Sequence, residues 1–321
     1  MFTLSSFKKL LIGVTSANVG VVLSCFYVFK KNRPLNDKSI NEPSENFRIK
    51  TFDELAKNYD EKNDFIEKIT SINKYKKKNF RKVHGVVLEI GAGTGRNFSY
   101  LKNIEALVCV EKSVKMCEQI KKKLEKEKPI YPVYVINNDI KNSLFKSNVF
   151  DCVISSFTLC SFEHVDESLQ KVLDIMKQNG KFYLIERGII YNKIIRYILE
   201  KLDLYPNRKI PWEYGYYENR DPLNLLKKNN FNIVFKLIKN AGSIYIITAK
   251  KHTISLSYSQ SKQFTKEENN TNTVTHNHNM PSENNSNKKY IQQTVQKKTF
   301  DIDNIICQQK GIPIYYYYKN V

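Results

Sequence analysis

None of the six cysteines stands in a C-x-x-C pair, so zinc ribbons and thioredoxin-type redox sites are not expected. Several of them lie inside apolar runs and read as small buried hydrophobes of a reducing compartment. No G-x-x-x-x-G-K-[ST] occurs, which removes a phosphate-cradling P-loop. The composition is not that of a coiled coil, a collagen or a disulfide scaffold. Acids are scarce: 32 Asp and Glu stand against 52 Lys and Arg, a formal charge of +20. The residues from His252 onward contribute eight lysines and five acids, hence +3, and the rest contributes +17. Such a surface favours anionic partners, nucleic acid or lipid headgroups. Lys and Asn are abundant everywhere, however, as biased base composition would also produce.

What is present begins with a run free of charge from Leu10 to Phe29, bounded by Lys8 and Lys9 before it and Lys30, Lys31 and Arg33 after it. As a helix these 20 residues span about 30 Å, the thickness of a hydrocarbon core. A cleaved signal peptide would have a shorter core and a small-x-small site, whereas here Phe26-Tyr27-Val28-Phe29 runs straight into lysines. The expectation is a stub over residues 1–9, a single-pass membrane anchor over 10–29 and a linker over 30–48 that holds Pro34 and Pro43. Gly13 with Ala17, and Ser16, Gly20 and Ser24, have the small-xxx-small spacing that would allow self-association through the anchor. From residue 252 to 321 the chain is rich in Asn, Thr, Ser, Gln and Lys and has no sustained apolar period. That tail is expected to be low-complexity and largely disordered, with an aromatic cluster at Tyr315–Tyr318. His276-Asn277-His278 within it does not make a metal site, and no metal is expected.

Between them, residues 49–251 read as one domain. Phe52, Leu55, Ala56 and Tyr59 recur at helical spacing, as do Phe65, Ile66, Ile69 and Ile72. From His84 short β-rich runs (Val86–Ile90, Ala106–Glu111, Val133–Ile136, Phe150–Phe157, Lys181–Glu186) alternate with helical stripes. Asp166 is placed as an N-cap, and Gly180 after that helix's end. Asp221-Pro222 reads as a cap followed by proline at the first helical position. Two last runs, Phe231–Ile238 and Ser243–Ala249, form a hairpin around Ala241-Gly242. The pattern predicts an α/β fold, a doubly wound, mostly parallel sheet of seven strands.

The chemistry is carried by Glu89-Ile90-Gly91-Ala92-Gly93-Thr94-Gly95, where a strand ends in a glycine turn that lets the backbone approach a ligand. In an open parallel sheet this is the crevice at the carboxyl ends of the strands. The spacing G-x-G-x-G is not that of a dinucleotide pyrophosphate site. Glu111 ends the next strand, where an acid can accept from both ribose hydroxyls of a nucleoside. Asp139 follows the third strand and can accept from an exocyclic adenine amine, with Ile140 as an apolar face for the ring. Glu89 can orient the turn's amides or meet a ligand ammonium.

This set resembles class I S-adenosylmethionine-dependent methyltransferases, of Rossmann-like fold. More narrowly it resembles a membrane-anchored methyltransferase-like group with fungal mitochondrial inner-membrane and animal thiol-methylating members. Gly93-Thr94-Gly95-Arg96-Asn97-Phe98, Thr158-Leu159-Cys160-Ser161 and Leu184-Ile185-Glu186-Arg187-Gly188 carry the closer likeness. Arg187 stands where the group has histidine, and Gln178-Asn179-Gly180 where it has Pro-Gly-Gly. The resemblance implies S-adenosyl-L-methionine held by Glu89, Gly91, Ala92, Gly93, Gly95, Asn97, Glu111, Lys112, Asp139, Ile140, Ser156 and Phe157. It implies a small-molecule acceptor near Phe157–Ser161, Glu186–Gly188 and the loop from Pro206 to Asp221, with Glu186 and His164 as candidate bases. An apolar lid from Tyr191 to Tyr217 suggests a lipophilic or amphiphilic acceptor, and the resemblance a location in the mitochondrial inner membrane. Two other functions compete: a non-catalytic scaffold of a membrane complex, and an RNA methyltransferase. Against the second, Ser155-Ser156-Phe157-Thr158 replaces the proline-pair signature, and no RNA-binding module is recognisable.

Overall fold

Strands that are apolar at nearly every position, not at alternate ones, are covered on both faces. In β1 (His84–Ile90), Val87, Leu88 and Ile90 are all fully buried. The computed structural model describes residues 41–252, 300–306 and 314–319. β1 lies at the sheet's centre, with β2 (Asn103–Glu111) and β3 (Val133–Asn137) on one side and β4 (Phe150–Ser156) and β5 (Met176–Arg187) on the other. These five strands are mutually parallel. β7 (Ile244–Lys251) runs antiparallel to β5, and β6 (Phe231–Lys239) antiparallel to β7. The carboxyl ends of the parallel strands therefore open on one edge, where a turn after β1 meets the ends of β2 and β4.

Helices cover both faces. Before β1 come α1 (Glu45–Leu55), α2 (Tyr59–Ile69) and α3 (Ile72–Phe80). After β2, Ser113 caps α4 (Val114–Glu127) by accepting from the Met116 N–H, and Cys117, Ile120 and Leu124 form its buried stripe. That stripe joins Ile72 and Phe80 of α3 in the core on one sheet face. On the other face lie α5 (Val165–Ile175) and, beyond the short α6 (Lys193–Lys201) and α7 (Ile210–Tyr214), α8 (Pro222–Lys228). Asp221 caps α8 through the Leu223 and Asn224 amides with Pro222 at its first position, as the sequence indicates.

Four expectations are corrected. The sheet has eight strands, not seven: β8 (Ile314–Tyr318) pairs antiparallel with β3. An open edge of unpaired amides and carbonyls takes up any compatible strand, and Tyr317 stacks on Tyr134 at 4.4 Å. Residues 300–306 are not disordered either, since Ile302 and Ile305 pack into the core. Asp166 does not cap α5; His164 stands there, and Asp166 accepts from Lys228 and Asn229, tying α5 to α8. Gly180 lies within β5, because α5 passes directly into that strand at Met176. In α2 the helical spacing holds, with Phe65, Ile66 and Ile69 exposed and Glu67 buried. The helix turns Glu67 and Asp60 inward, where Arg96, Lys123 and Lys76 pair with them. The anchor at 10–29, tail residues 253–299 and 307–313, and His276 and His278 lie outside the described residues. Among the described residues no helix is long and apolar enough to cross a membrane.

The docked tail gives a first prediction. Truncation after His252 removes Ile302 and Ile305 from the core and should cost about 2–4 kcal/mol of stability. In hydrogen exchange, amides of β3 should lose protection while those of β5 and β7 keep theirs; unchanged protection of β3 would refute the pairing.

Candidate functional site

The turn after β1 is pinned to β2: the Gly91 N–H donates to the Val110 carbonyl at 2.8 Å. Gly93 has φ +57°, and a Cβ there would meet nothing within 4 Å, so the backbone is bare towards the space above. Gly95 differs. A Cβ on it would strike the Phe98 ring, and it serves packing without lining the space. The cavity measures about 1130 Å³, open solvent at its mouth included. Of the residues expected at a cofactor, all except Gly95 line it: Glu89, Gly91, Ala92, Gly93, Asn97, Glu111, Lys112, Asp139, Ile140, Ser156 and Phe157.

Glu111 is held at the end of β2 by two amides. Its Oε2 accepts from the Gly93 N–H and its Oε1 from the Ser113 N–H, each at 2.8 Å. Burial still keeps its carboxyl above the ordinary range, against the pull of those amides. The lone pairs left over on both oxygens could take hydroxyl donors. Lys112 spans the mouth, 2.9 Å from Asp139 and 2.6 Å from Glu45.

Beneath the turn Glu89 is fully enclosed, and burial pushes its carboxyl up to about 7. Its Oε1 accepts from Asn97 Nδ2 at 2.6 Å. Among the described residues, its Oε2, Asn97 Oδ1 and Ser156 Oγ are buried without a hydrogen-bond partner. Such atoms are rare inside folded proteins, because each costs about 1–3 kcal/mol. Three on residues of one cavity fit a ligand that brings hydrogen-bonding groups there, an ammonium among them. The donor set thus suits a nucleoside carrying an amino-acid end.

The roof was not foreseen in the sequence. The spacing of Phe52 and Tyr59 marks a helical stripe and does not show what it covers. Ile49 and Phe52 of α1 and Tyr59 and Asn63 of α2 line the cavity, as do Glu67 and Lys76. Lys76 and Glu67 form a buried ion pair at 2.9 Å. Arg48 of α1 reaches the Ser161 carbonyl and Glu163 on the loop after β4 and lies over the Tyr217 ring. Asp60 accepts from Thr94 of the turn, from Arg96 and from Lys123, and these bonds hold its carboxyl below the usual range despite partial burial.

The candidate bases separate. His164 lines the cavity, close enough to Glu167 to pair at 3.4 Å. Glu186 does not line it. Its carboxyl is fully buried and accepts from Ser155 Oγ and from the Leu159 N–H at 3.1 Å, so it supports the loop after β4 and cannot touch an acceptor. Burial pushes it up to about 8. On the same loop the Cys160 thiol is pushed up to about 12 by burial, which suits packing and not attack. Phe157 takes φ +57°, a strained conformation for an aromatic residue, at the turn out of β4.

The family model described as "Methyltransferase domain" matches residues 88–184. Methyltransferase OMS1, mitochondrial, of Saccharomyces cerevisiae is 25% identical over 217 residues, 62% of this chain and 45% of that protein. The ubiquinone/menaquinone biosynthesis C-methyltransferase UbiE of Wigglesworthia glossinidia brevipalpis is 28% identical over 130 residues, 39% of this chain and 50% of that protein. The chain thus spans about half the length of these curated relatives. A solved SAM-dependent methyltransferase of Leishmania major is 13% identical, covering 64% of this chain and 82% of that one, with TM-score 0.49.

Glu186 should show itself in stability. Its acid form is favoured in the folded state, so the stability it contributes is complete below about 4.5 and lost as pH rises through about 8. Glu186→Gln keeps an acceptor for the loop and cannot ionise. Its stability relative to the native chain should grow by up to about 1.4 kcal/mol per pH unit across that window. Denaturant melts at several pH values check this; parallel curves for the two proteins would exclude it.

Proposed function

We propose that the domain is a class I S-adenosylmethionine-dependent methyltransferase and that the chain, held at a membrane by residues 10–29, methylates a small lipophilic or amphiphilic acceptor. The observation that carries this reading is the convergence of three unpartnered polar atoms and the bare backbone of Gly93 on one cavity. In this reading Glu89 and Asn97 receive the donor's ammonium, Glu111 its ribose hydroxyls and Asp139 its adenine amine, with Ile140 against the ring. Bound there, the sulfonium supplies an activated methyl group for in-line displacement.

The protein's work is then placement and exclusion of water. Ile49, Phe52, Tyr59, Phe157 and Phe162 give the cavity an apolar wall that would desolvate an acceptor. Tyr59 is pushed up to about 12 by burial and stays a neutral phenol that can donate a hydrogen bond. Where an acceptor must shed a proton, His164 is the imidazole on the cavity wall. The apolar wall suits a lipophilic acceptor; the Wigglesworthia relative is named for ubiquinone/menaquinone biosynthesis and the yeast relative as mitochondrial, which supports a mitochondrial location.

Calorimetry with S-adenosylmethionine tests the site. The native chain should bind. Gly93→Arg, which fills the bare turn, should abolish binding. Glu111→Ala should weaken it about tenfold or more, the worth of hydrogen bonds to a charged group. Undiminished affinity in both variants would end this assignment. Untargeted mass spectrometry of methylated products would identify the acceptor, and exclusively hydrophilic products would count against a lipophilic one.

A second measurement follows from Glu89. In the free protein its carboxyl titrates at about 7. A cation beside it favours the ionised form, so binding below that pH expels a proton. Affinity should fall by up to about tenfold per unit as pH drops below 7 and level off above it. Heats in buffers of different ionisation enthalpy count the proton; Glu89→Gln should release none. A native profile without pH dependence would remove Glu89 from the ammonium site.

A further inference from the structure

Two helices of this domain show solvent a set of apolar side chains. α6 buries none of its residues, yet Ile194, Ile195, Tyr197 and Ile198 are 72, 40, 59 and 48% exposed. α2 buries Glu67 and leaves Phe65, Ile66 and Ile69 at 68, 43 and 64%. Surface helices ordinarily show solvent their polar face. Ile66 of α2 lines one cleft with Gly188 and Ile190, the segment that leads into α6. Exposed apolar patches of this extent mark an interaction site.

We propose that the outward faces of α2 and α6 together form a membrane-contacting surface that seats the domain on a lipid bilayer. The proposal rests on the reading of residues 10–29 as an anchor. Three observations choose lipid over another occupant. Lys193 and Lys201 flank the isoleucines of α6 and Lys62 and Lys68 those of α2; of the acids on these helices Asp60 and Glu67 are paired towards the domain, Asp64 and Glu200 are exposed in pairs with Arg96 and Arg196, and Glu61 is exposed. Apolar residues bordered by lysines, with Tyr191 and Tyr197 at the rim, make up an interfacial surface for anionic headgroups. The described part of the chain begins close to the domain's surface, at Asn41. Trp212 of α7, just beyond α6, donates its indole N–H to the Asn41 carbonyl at 3.1 Å. From there the segment Lys30–Ile40 reaches at most about 36–40 Å back to the end of the uncharged run. A domain on so short a tether stays beside the bilayer. The cleft moreover ends at Arg187, whose guanidinium lies 5.8 Å from the centre of the Phe157 ring on the main cavity's wall. A lipophilic acceptor would have a short path from bilayer to site.

Trp212 is the chain's single tryptophan, which makes the test simple. In a Trp212→Phe background, Ile198→Trp and Ile69→Trp place probes on the two helices. Ile130→Trp places a control at the opposite edge of the sheet, before β3, where the native side chain is 78% exposed. The full chain is mixed with phosphatidylcholine–phosphatidylglycerol vesicles whose acyl chains carry bromine. Both probes should be quenched at least about twofold more than the control, as expected of side chains set about 5–10 Å into the headgroup–acyl boundary. Adding Ile194→Asp and Ile195→Asp should return the probe at 198 to the control level, with binding of S-adenosylmethionine unchanged by calorimetry. Flotation in alkaline carbonate, which strips surface-bound protein, reports the anchor and quenching at neutral pH reports the face, so the two can fail separately. A chain that floats in carbonate while either probe matches the control overturns the face and leaves the anchor. Excess quenching with loss of flotation in carbonate supports the face and removes the anchor. Concentration-dependent dimerisation with both probes at the control level would assign the face to a second copy and overturn the proposal.

Discussion

The site depends on one contact, the Gly93 amide donating to the Glu111 carboxylate. It joins the turn after β1 to the end of β2 and can form only if the two strands are parallel and in register, Ile90 beside Val110. A slip of one residue would move Glu111 to the other sheet face. It also needs glycine at 93, since a side chain at φ +57° would be strained and would stand in the cavity. The apolar runs that make β1 and β2 cores on both faces therefore also set the geometry of the pocket. Stability and binding share the same register.

Around that contact the chain uses charge as mortar. Asp60, Asp64 and Glu67 of α2 meet Arg96 and Lys123 of the domain and Lys76 of α3. Buried ion pairs add little net stability against well-packed apolar side chains, but breaking one is expensive. Their value here is orientation. They fix which side of α2 faces the cavity, and in doing so they turn its isoleucines and Phe65 outward. The exposed apolar face and the polar roof of the pocket are two sides of one arrangement.

How much of this can be read from the sequence depends on whether a signal is periodic or pairwise. Strands with continuous apolar runs and caps such as Asp221-Pro222 are local and legible, and so is the glycine turn with acids at successive strand ends. β8 was not legible, because a row of tyrosines in a polar tail has no period of its own and finds its place only on the open edge of β3. The orientation of α2 was not legible either. Its apolar spacing alone says that Phe65, Ile66 and Ile69 share a face, and only the distant Arg96 and Lys123 decide that this face looks outward. Glu186 illustrates the same limit at the site. The likeness to a family marks the position, but burial behind Ser155 and the Leu159 amide excludes it from contact with a substrate.

The buried acids finally connect fold to function. Glu89 and Glu186 both lie near carboxyl ends of parallel strands, and burial raises both. Glu186 has donors for both oxygens and is structurally complete. Glu89 has one donor and one oxygen without a partner, on the cavity wall. An unsatisfied buried acceptor destabilises a fold by about 1–3 kcal/mol, and a ligand that donates to it recovers that amount on binding. The same recovery is open at Asn97 and Ser156. A pocket left deficient in donors at these atoms is preorganised for a ligand that supplies them, which is why the orphaned oxygens, more than the glycine motif alone, separate a binding site from an ordinary strand-to-helix turn.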